Sequence, residues 1–422
     1  MGRMRRTALV AALAIMMPLA LAACGSEDEP AAEAAPSAAS VPAPPVATST
    51  VPAVPLKLEV TPKDKARNQP ASVEIGTTVA GGTVETVTLV DGAGRQVAGS
   101  MRADGTSWVP AKTLSFGASY TATVTAKSPA GESITQTTSF STMGRPGKET
   151  GTGLYMFDGH TYGVAMPVVV EFIPGVPESH RAAVEKRLFV QTDPPQPGVW
   201  SWVKGGTQAY YRAPEFWQPG TKLTVRIGIG GLETAPGTYG NTDRTATAEI
   251  GRKLEMRVDN SDKQMKVYED GTLTRTFPVS LGRKKMPSAS GVMVVMEKKE
   301  QTVFDTYEQF GPVEGYRVDV EFAQRLTWSG QFIHAAPWSN ASQGRENVSH
   351  GCVNVSQEGG EWLFGKTLIG DPVTVTGTEE KLTEGNGWTA WNVSWADFMK
   401  GSALPIPDSL RTATPSPANS PS

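Results

Sequence analysis

The chain has 422 residues with 39% hydrophobic and 19% charged side chains, and 39 basic against 42 acidic groups leave a net charge of −3. That balance excludes a wholly disordered polypeptide and offers no basic footprint for nucleic acid. Two cysteines exclude a disulfide-stapled framework, and about 150 residues per domain predicts about three domains.

The first segment reads as an export signal over residues 1–23. Arg3, Arg5 and Arg6 precede an apolar run from Ala8 to Leu21, which is too short to span a bilayer comfortably. It ends in Leu21-Ala22-Ala23-Cys24, which resembles the lipobox of bacterial lipoproteins. The resemblance implies cleavage before Cys24, lipidation of its thiol and attachment to the extracytoplasmic face of a membrane. An ordinary secretory peptide with an incidental Cys24 is the alternative. Cleavage would move the net charge from −3 to −6, since three arginines leave. Residues 24–55 are rich in Pro and Ala with almost no large apolar side chain, and read as a linker. Thirty such residues span about 30 Å as a coil and about 90 Å when extended.

Residues 56–147 predict about seven short strands, among them 56–60, 72–79, 84–90, 120–126 and 133–141. They are separated by Gly81-Gly82, Asp91-Gly92 and Asp104-Gly105. This spacing suggests an immunoglobulin-like β-sandwich without chemistry of its own. Residues 148–250 repeat the style, with strands over 164–172 and 222–228 and a helix over 177–188. Trp200, Trp202, Tyr210, Tyr211, Phe216 and Trp217 are read as core aromatics in preference to a glycan-stacking surface, and His160 and His180 as ordinary loop residues.

Residues 251–376 open with strands over 254–260, 264–269 and 273–280. Others follow over 291–297, 317–321, 331–334 and 372–375, with a short helix near 357–365. Residues 377–405 form an aromatic extension in which Trp391, Trp395 and Phe398 fall on one helical face and pack onto a neighbouring block. Residues 406–422 read as a disordered tail.

The chemistry concentrates at Cys352. If Cys24 is lipidated, Cys352 has no partner within the chain, and an exposed lone thiol is a liability. It stands in Ser349-His350-Gly351-Cys352-Val353-Asn354, with His334 eighteen residues upstream. A cysteine near its ordinary pKa is only slightly ionised at neutral pH. A histidine in reach can take the proton and leave a thiolate–imidazolium pair. His334 is the candidate base, oriented by a backbone carbonyl. Gly351 permits a tight turn, so that the amides of Gly351 and Cys352 can face an oxyanion. His350 shapes the site. A zinc set of His334, His350 and Cys352 is the weaker alternative, because its spacing matches no ordinary zinc pattern.

His334-Ala-Ala-Pro-Trp-Ser followed by Ser349-His-Gly-Cys-Val-Asn354 resembles the catalytic motif of the L,D-transpeptidases, as does Gly315-Tyr316-Arg317-Val-Asp319. The whole layout resembles the actinobacterial multidomain lipoprotein members. The fold expected is therefore mainly β: two immunoglobulin-like sandwiches, then a β-rich catalytic domain with a short helix and a C-terminal aromatic extension.

The resemblance implies a cofactor-free exchange on peptidoglycan stem peptides. Cys352 attacks meso-diaminopimelate of a donor tetrapeptide, D-alanine leaves, and the amine of an acceptor diaminopimelate resolves the thioester. His334 is the implied base, Gly351 and Cys352 the oxyanion donors, and the Tyr316 hydroxyl a further donor. Ser349, His350 and Asn354 are supports, and Trp338 lines the substrate loop. Ala335 stands where relatives commonly carry serine; that role uses a backbone carbonyl. Carbapenem-type β-lactams are implied to acylate Cys352. Other readings are a cysteine carboxypeptidase on the same donor and a non-catalytic wall-binding lipoprotein.

Overall fold

The computed structural model describes residues 54–414, apart from the side chains of Lys204, Gln309 and Phe310. The segment expected to be an export signal, Cys24 and nearly all of the expected linker lie outside these residues. The chain from Val54 onward clusters as one compact unit. Within it three pairs of sheets follow one another.

The first pair runs from Lys57–Thr61 to Ser133–Thr142 as two four-stranded sheets. Alternation of polar and apolar residues, as in Ser119–Lys127, buries Tyr120, Ala122, Val124 and Ala126 between the sheets. The second pair stacks a four-stranded sheet on a six-stranded one. Its core holds Phe172, Trp200, Trp202, Tyr210, Tyr211 and Trp217, so these aromatics serve the core. The expected helix appears as Glu178–Glu185.

One strand expectation fails here. The predicted strand over 164–172 begins only at Val168. Residues before it cross instead to the catalytic domain, where the Gly163 and Ala165 amides donate to Ile369 O and Gly370 O. An apolar run looks the same whether a sheet or a domain seam buries it.

The catalytic block has a six-stranded and a four-stranded sheet. The single strand expected over 291–297 is two. Ala289–Val294 belongs to the larger sheet, and Glu297–Asp305 starts the smaller one. The crossing is pinned by the Met296 amide on Arg325 O. Glu297–Asp305 pairs with Arg317–Arg325, and a kinked helical flap, Tyr307–Glu314, joins them. Gly311 and Pro312 break that helix, which leaves no helical spacing to read in the sequence.

The extension packs on the second sandwich, as expected, but not as one helix face. Trp391 closes a 3-10 turn, Thr389–Trp391, and a new helix, Trp395–Lys400, starts behind the cap Ser394. The three aromatics converge on Arg212, which is 2% exposed. Its guanidinium lies 4.5 Å from the Trp391 ring, 5.1 Å from Trp395 and 4.5 Å from Phe398. It donates to Ala213 O, Pro214 O and Val393 O. Burial lowers its pKa to about 9, and among the described residues no carboxylate pairs with it. The expected tail also folds further. Ile406 joins this core, Leu410 is buried, and Trp395 Nε1 donates to Leu410 O at 2.9 Å.

Asp371 sits at the seam between the second sandwich and the catalytic block, fully buried. Its Oδ2 accepts the Leu368 amide at 2.8 Å, and Arg252 Nη1 stands 3.5 Å away. Its Oδ1 has no hydrogen-bond partner among the described residues and lies against Gly163, where a Cβ would come within 2.3 Å. Burial pushes its pKa up to about 7 despite the Leu368 amide, Arg252 and Lys298. The Arg252 contact favours a charged carboxylate. Burial wins because that contact is too long for a strong hydrogen bond and the second oxygen is unsolvated.

Two outcomes follow. Trp391→Ala should cost about 3–5 kcal/mol in chemical denaturation and expose residues 395–411 to limited proteolysis. Asp371 is neutral in the fold where the unfolded chain is ionised, between 3.8 and about 7. Its contribution to stability therefore falls as pH rises across that window and is flat above it. Urea titrations across the window should show Asp371→Asn losing that slope.

Candidate active site

The site is built where Phe332–Ala335 pairs in parallel with Val353–Val355. Ile333 stands beside Val353 and His334 beside Asn354. Side chains alternate along a strand, so Cys352, one residue before Val353, shares a face with Asn354 and His334. Thiol and imidazole thus lie on one face of adjacent strands, and both residues line one cavity of about 400 Å3 with Tyr316, Trp338, Ser339 and Asn354.

The loop before Cys352 is held by local hydrogen bonds. Ser349 Oγ donates to Cys352 O at 2.7 Å and accepts the Gly351 amide at 3.1 Å. Ser288 Oγ donates to Gly351 O at 2.7 Å. Gly351 has φ 121, a region that side chains disfavour, so its glycine is a backbone requirement. Of the two expected oxyanion donors, the Gly351 amide is therefore already engaged by Ser349. That engagement counts against the role given to Gly351 and leaves the Cys352 amide as the candidate.

His334 Nδ1 contacts Ala335 O at 2.8 Å. A carbonyl only accepts, so Nδ1 carries the proton and Nε2 keeps the lone pair a base needs. The ring is 4% exposed, between Phe304 at 5.2 Å edge-on and Trp338 at 6.0 Å stacked. Burial lowers its pKa to about 4, against the Ala335 carbonyl, which raises it. Trp338 itself is 58% exposed and forms the outer wall.

Cys352 is 5% exposed and clusters with Ala323, Phe332 and Phe304. Its Sγ lies 3.8 Å from Gly330 O. Burial pushes the thiol up to about 11, while the Phe332 amide and Arg325 pull it down. Burial thus opposes the expected thiolate–imidazolium pair and favours the neutral form of each partner. Aromatic and aliphatic neighbours withhold the solvation that either charge needs. Cys352 nevertheless lines two cavities, the one above and a second of about 280 Å3.

His350 is held as a support and not as a base. Its Nε2 lies 3.0 Å from Arg283 Nη2, which can only donate. Its pKa is lowered by burial and by Arg283. Arg283 also pairs with Glu314 at the end of the flap, at 2.5 Å. The Tyr316 ring lies tilted against His350 at 4.8 Å, and burial raises its hydroxyl to about 12, so it stays a donor. Asn354 Nδ2 donates to Ser339 Oγ at 3.3 Å, while its buried Oδ1 has no partner among the described residues. With His350 Nε2 engaged by Arg283, the zinc set does not assemble, and no three His, Cys, Asp or Glu among the described residues converge as metal ligands.

All eight catalytic and substrate positions singled out from the sequence lie at this site: Tyr316, His334, Trp338, Ser349, His350, Cys352 and Asn354 line the first cavity, and Gly351 turns the loop. Phe304, Arg283, Glu314, Ser288 and Arg325 were missed. They come from the flap hairpin and the 281–288 loop, far from the motif in sequence.

The model of the L,D-transpeptidase catalytic domain matches residues 255–375, and that of a bacterial Ig domain matches residues 66–233. L,D-transpeptidase 2 of Mycobacterium tuberculosis (strain CDC 1551 / Oshkosh) is 30% identical over 95% of this chain and 96% of its own. L,D-transpeptidase 5 of Mycobacterium tuberculosis (strain ATCC 25618 / H37Rv) is 32% identical over 97% of this chain and 88% of its own. A solved structure of L,D-transpeptidase 3 from Mycobacterium tuberculosis with a faropenem-derived adduct aligns with 53% of this chain and 97% of its own, at 27% identity and TM-score 0.44. Agreement along almost the entire length with relatives of one kind, over a catalytic block that brings a histidine and a cysteine to one cavity, places this chain in the L,D-transpeptidase family.

Proposed function

We propose that this enzyme cross-links meso-diaminopimelate residues of peptidoglycan stem peptides through a Cys352 thioester and releases D-alanine. The observation that carries the reading is the shared face of Cys352 and His334, with Cys352 lining two cavities. Two entrances suit a reaction that needs one peptide to acylate the sulfur and another to resolve it.

The neutral resting pair sets the sequence of events. As Sγ attacks the donor carbonyl, its proton passes to His334 Nε2. The oxyanion is met by the Cys352 amide and the Tyr316 hydroxyl. The imidazolium then returns the proton to the departing amine, D-alanine leaves, and the thioester remains. The acceptor amine attacks the same carbon and gives its proton to His334, and as the C–S bond breaks the imidazolium passes that proton to the leaving Sγ, which restores the neutral pair. Positive charge forms on His334 only while negative charge is present beside it. The unpaired Asn354 Oδ1 suits an N–H of the bound peptide. A carbapenem would enter by the first of these steps, its strained carbonyl taking the place of the donor's.

The lipobox at Cys24 supports anchoring on the extracytoplasmic face, where such peptides are found. No helix among the described residues is long and apolar enough to cross a membrane.

Cys352→Ala should abolish formation of cross-linked dimer from a disaccharide tetrapeptide; dimer at the wild-type rate would end the proposal. The resting thiol should be alkylated by iodoacetamide at a rate that climbs continuously with pH toward about 11, since the thiolate fraction is still rising. A plateau below neutrality would demonstrate a preformed ion pair instead. His334→Ala should slow donor acylation by about 10²-fold or more, as loss of a general base does, with little effect on that alkylation rate.

A further inference from the structure

Three segments of the catalytic block meet at one arginine. Arg283 stands on the 281–288 loop, whose backbone is tied to the catalytic loop. Its amide donates to Ser349 O at 3.0 Å, and the Ser349 amide donates to Leu281 O at 3.0 Å. Its Nη2 reaches across to the flap, where it donates to the Glu314 carboxylate at 2.5 Å and to His350 Nε2 at 3.0 Å. Nε2 therefore accepts, and the ring proton of His350 is on Nδ1. Burial and Arg283 lower the pKa of that ring, while the carboxylate and the backbone carbonyl of Glu314 raise it. A carbonyl only accepts, so the Glu314 carbonyl takes the Nδ1 proton.

Stability does not account for this arrangement. Arg283 Nε is buried with no hydrogen-bond partner among the described residues, which costs free energy. The ion pair with Glu314, its side chains 33% and 37% exposed, returns little. What the contacts do is fix position. Glu314 is held by its side chain and by its backbone, two residues before Tyr316. The base of the flap is closed by the Thr306 amide on Tyr316 O and the Tyr316 amide on Thr306 Oγ1, both at 2.9 Å. The Tyr316 ring lies tilted against His350 at 4.8 Å. Burial and the nearby Cys352 both raise the pKa of its hydroxyl, so that hydroxyl is close to the thiol.

We infer that Arg283 is a positioning residue: by clamping Glu314 and His350 together, it holds the Tyr316 ring where its hydroxyl meets the oxyanion formed at Cys352. The inference rests on the function proposed above and deepens it. Without the clamp the flap end loses its side-chain tie to the 281–288 loop, and His350 loses the donor that fixes its ring. The flap is kinked at Gly311, with φ 70, and so has a place to bend. Arg283 borders neither cavity at Cys352. It takes no proton, and its effect passes through Tyr316. The planar guanidinium can serve a carboxylate and a ring nitrogen together, whereas a lysine keeps the charge without the fork.

The test is a double-mutant cycle on the purified full chain. Donor tetrapeptide is supplied in excess, and the thioester on Cys352 is followed by rapid quench and intact-mass spectrometry. Tyr316→Phe should slow acylation by about 10²-fold, as loss of an oxyanion donor does. Arg283→Gln should slow it about tenfold, the scale of a misplaced catalytic group, and Arg283→Lys should recover part of that loss. Glu314→Gln, at a position more exposed and less demanding of the fold, should act in the same direction by about threefold. In the Tyr316→Phe background, Arg283→Gln should change the rate by less than about twofold, because the group it positions is gone. The rate constant is read from the time course, so partial loss of folded enzyme lowers the amplitude and not the rate. A merely structural role would slow both backgrounds alike. Acylation at the wild-type rate in Arg283→Gln or in Tyr316→Phe, or a tenfold loss that persists in the Tyr316→Phe background, would overturn the inference while leaving the transpeptidase reading intact. Absence of any thioester in wild type would overturn both.

Discussion

One parallel strand pair governs the rest of this enzyme. Phe332–Ala335 and Val353–Val355 run side by side, and their register places His334 next to Asn354 and so two residues along, on the same face, from Cys352. A slip of one residue would send the imidazole to the opposite face of the sheet and leave the thiol with none. The register is held from both sides. Ser280 and Asn354 exchange backbone hydrogen bonds, while Arg325 and Phe332 pair on the outer neighbour. The sheet therefore acts less as a wall than as a ruler, and the loop 349–352 only has to turn.

Dryness is the second theme. Phe304 and Trp338 jacket the imidazole, and Ala323 and Phe332 back the thiol. Charge on either group alone is disfavoured in such surroundings, so a reactive thiolate is not kept in waiting. A neutral buried thiol resists oxidation better than an ionised one. The same dryness strengthens each hydrogen bond offered to a developing oxyanion. Reactivity is thereby tied to the arrival of a substrate.

The remaining contacts fix the platform. Arg102 and Arg187 grip Glu74 from two domains, at 2.5 and 2.6 Å, and hold its carboxyl down at about 2. Thr113 Oγ1 reaches Asp243 of the second sandwich at 2.6 Å. Arg212 binds the aromatic extension of the catalytic block to that same sandwich. Each seam thus uses a buried or half-buried arginine whose planar fork satisfies several acceptors at once. The sandwiches carry no catalytic group, yet they are continuous with the block that does.

The amino-acid sequence alone determined the β-rich class, the number of blocks and the short helix after the motif, because alternation and helical spacing are local properties. It also pointed to Cys352 and His334, since their chemistry is rare and their spacing distinctive. Even the carbonyl on which His334 rests was foreseeable, as a backbone acceptor needs no particular side chain. Only the tertiary structure decided which state burial favours for these groups, because pKa follows from burial, and much of that burial is contributed by Phe304 and Ala323 from other strands. It likewise decided that residues 164–167 form a seam, that Trp391, Trp395 and Phe398 surround Arg212 from separate turns, and that Arg325 borders the sulfur. Those are relations between distant segments, and periodicity along a chain records which face is buried but not what lies against it.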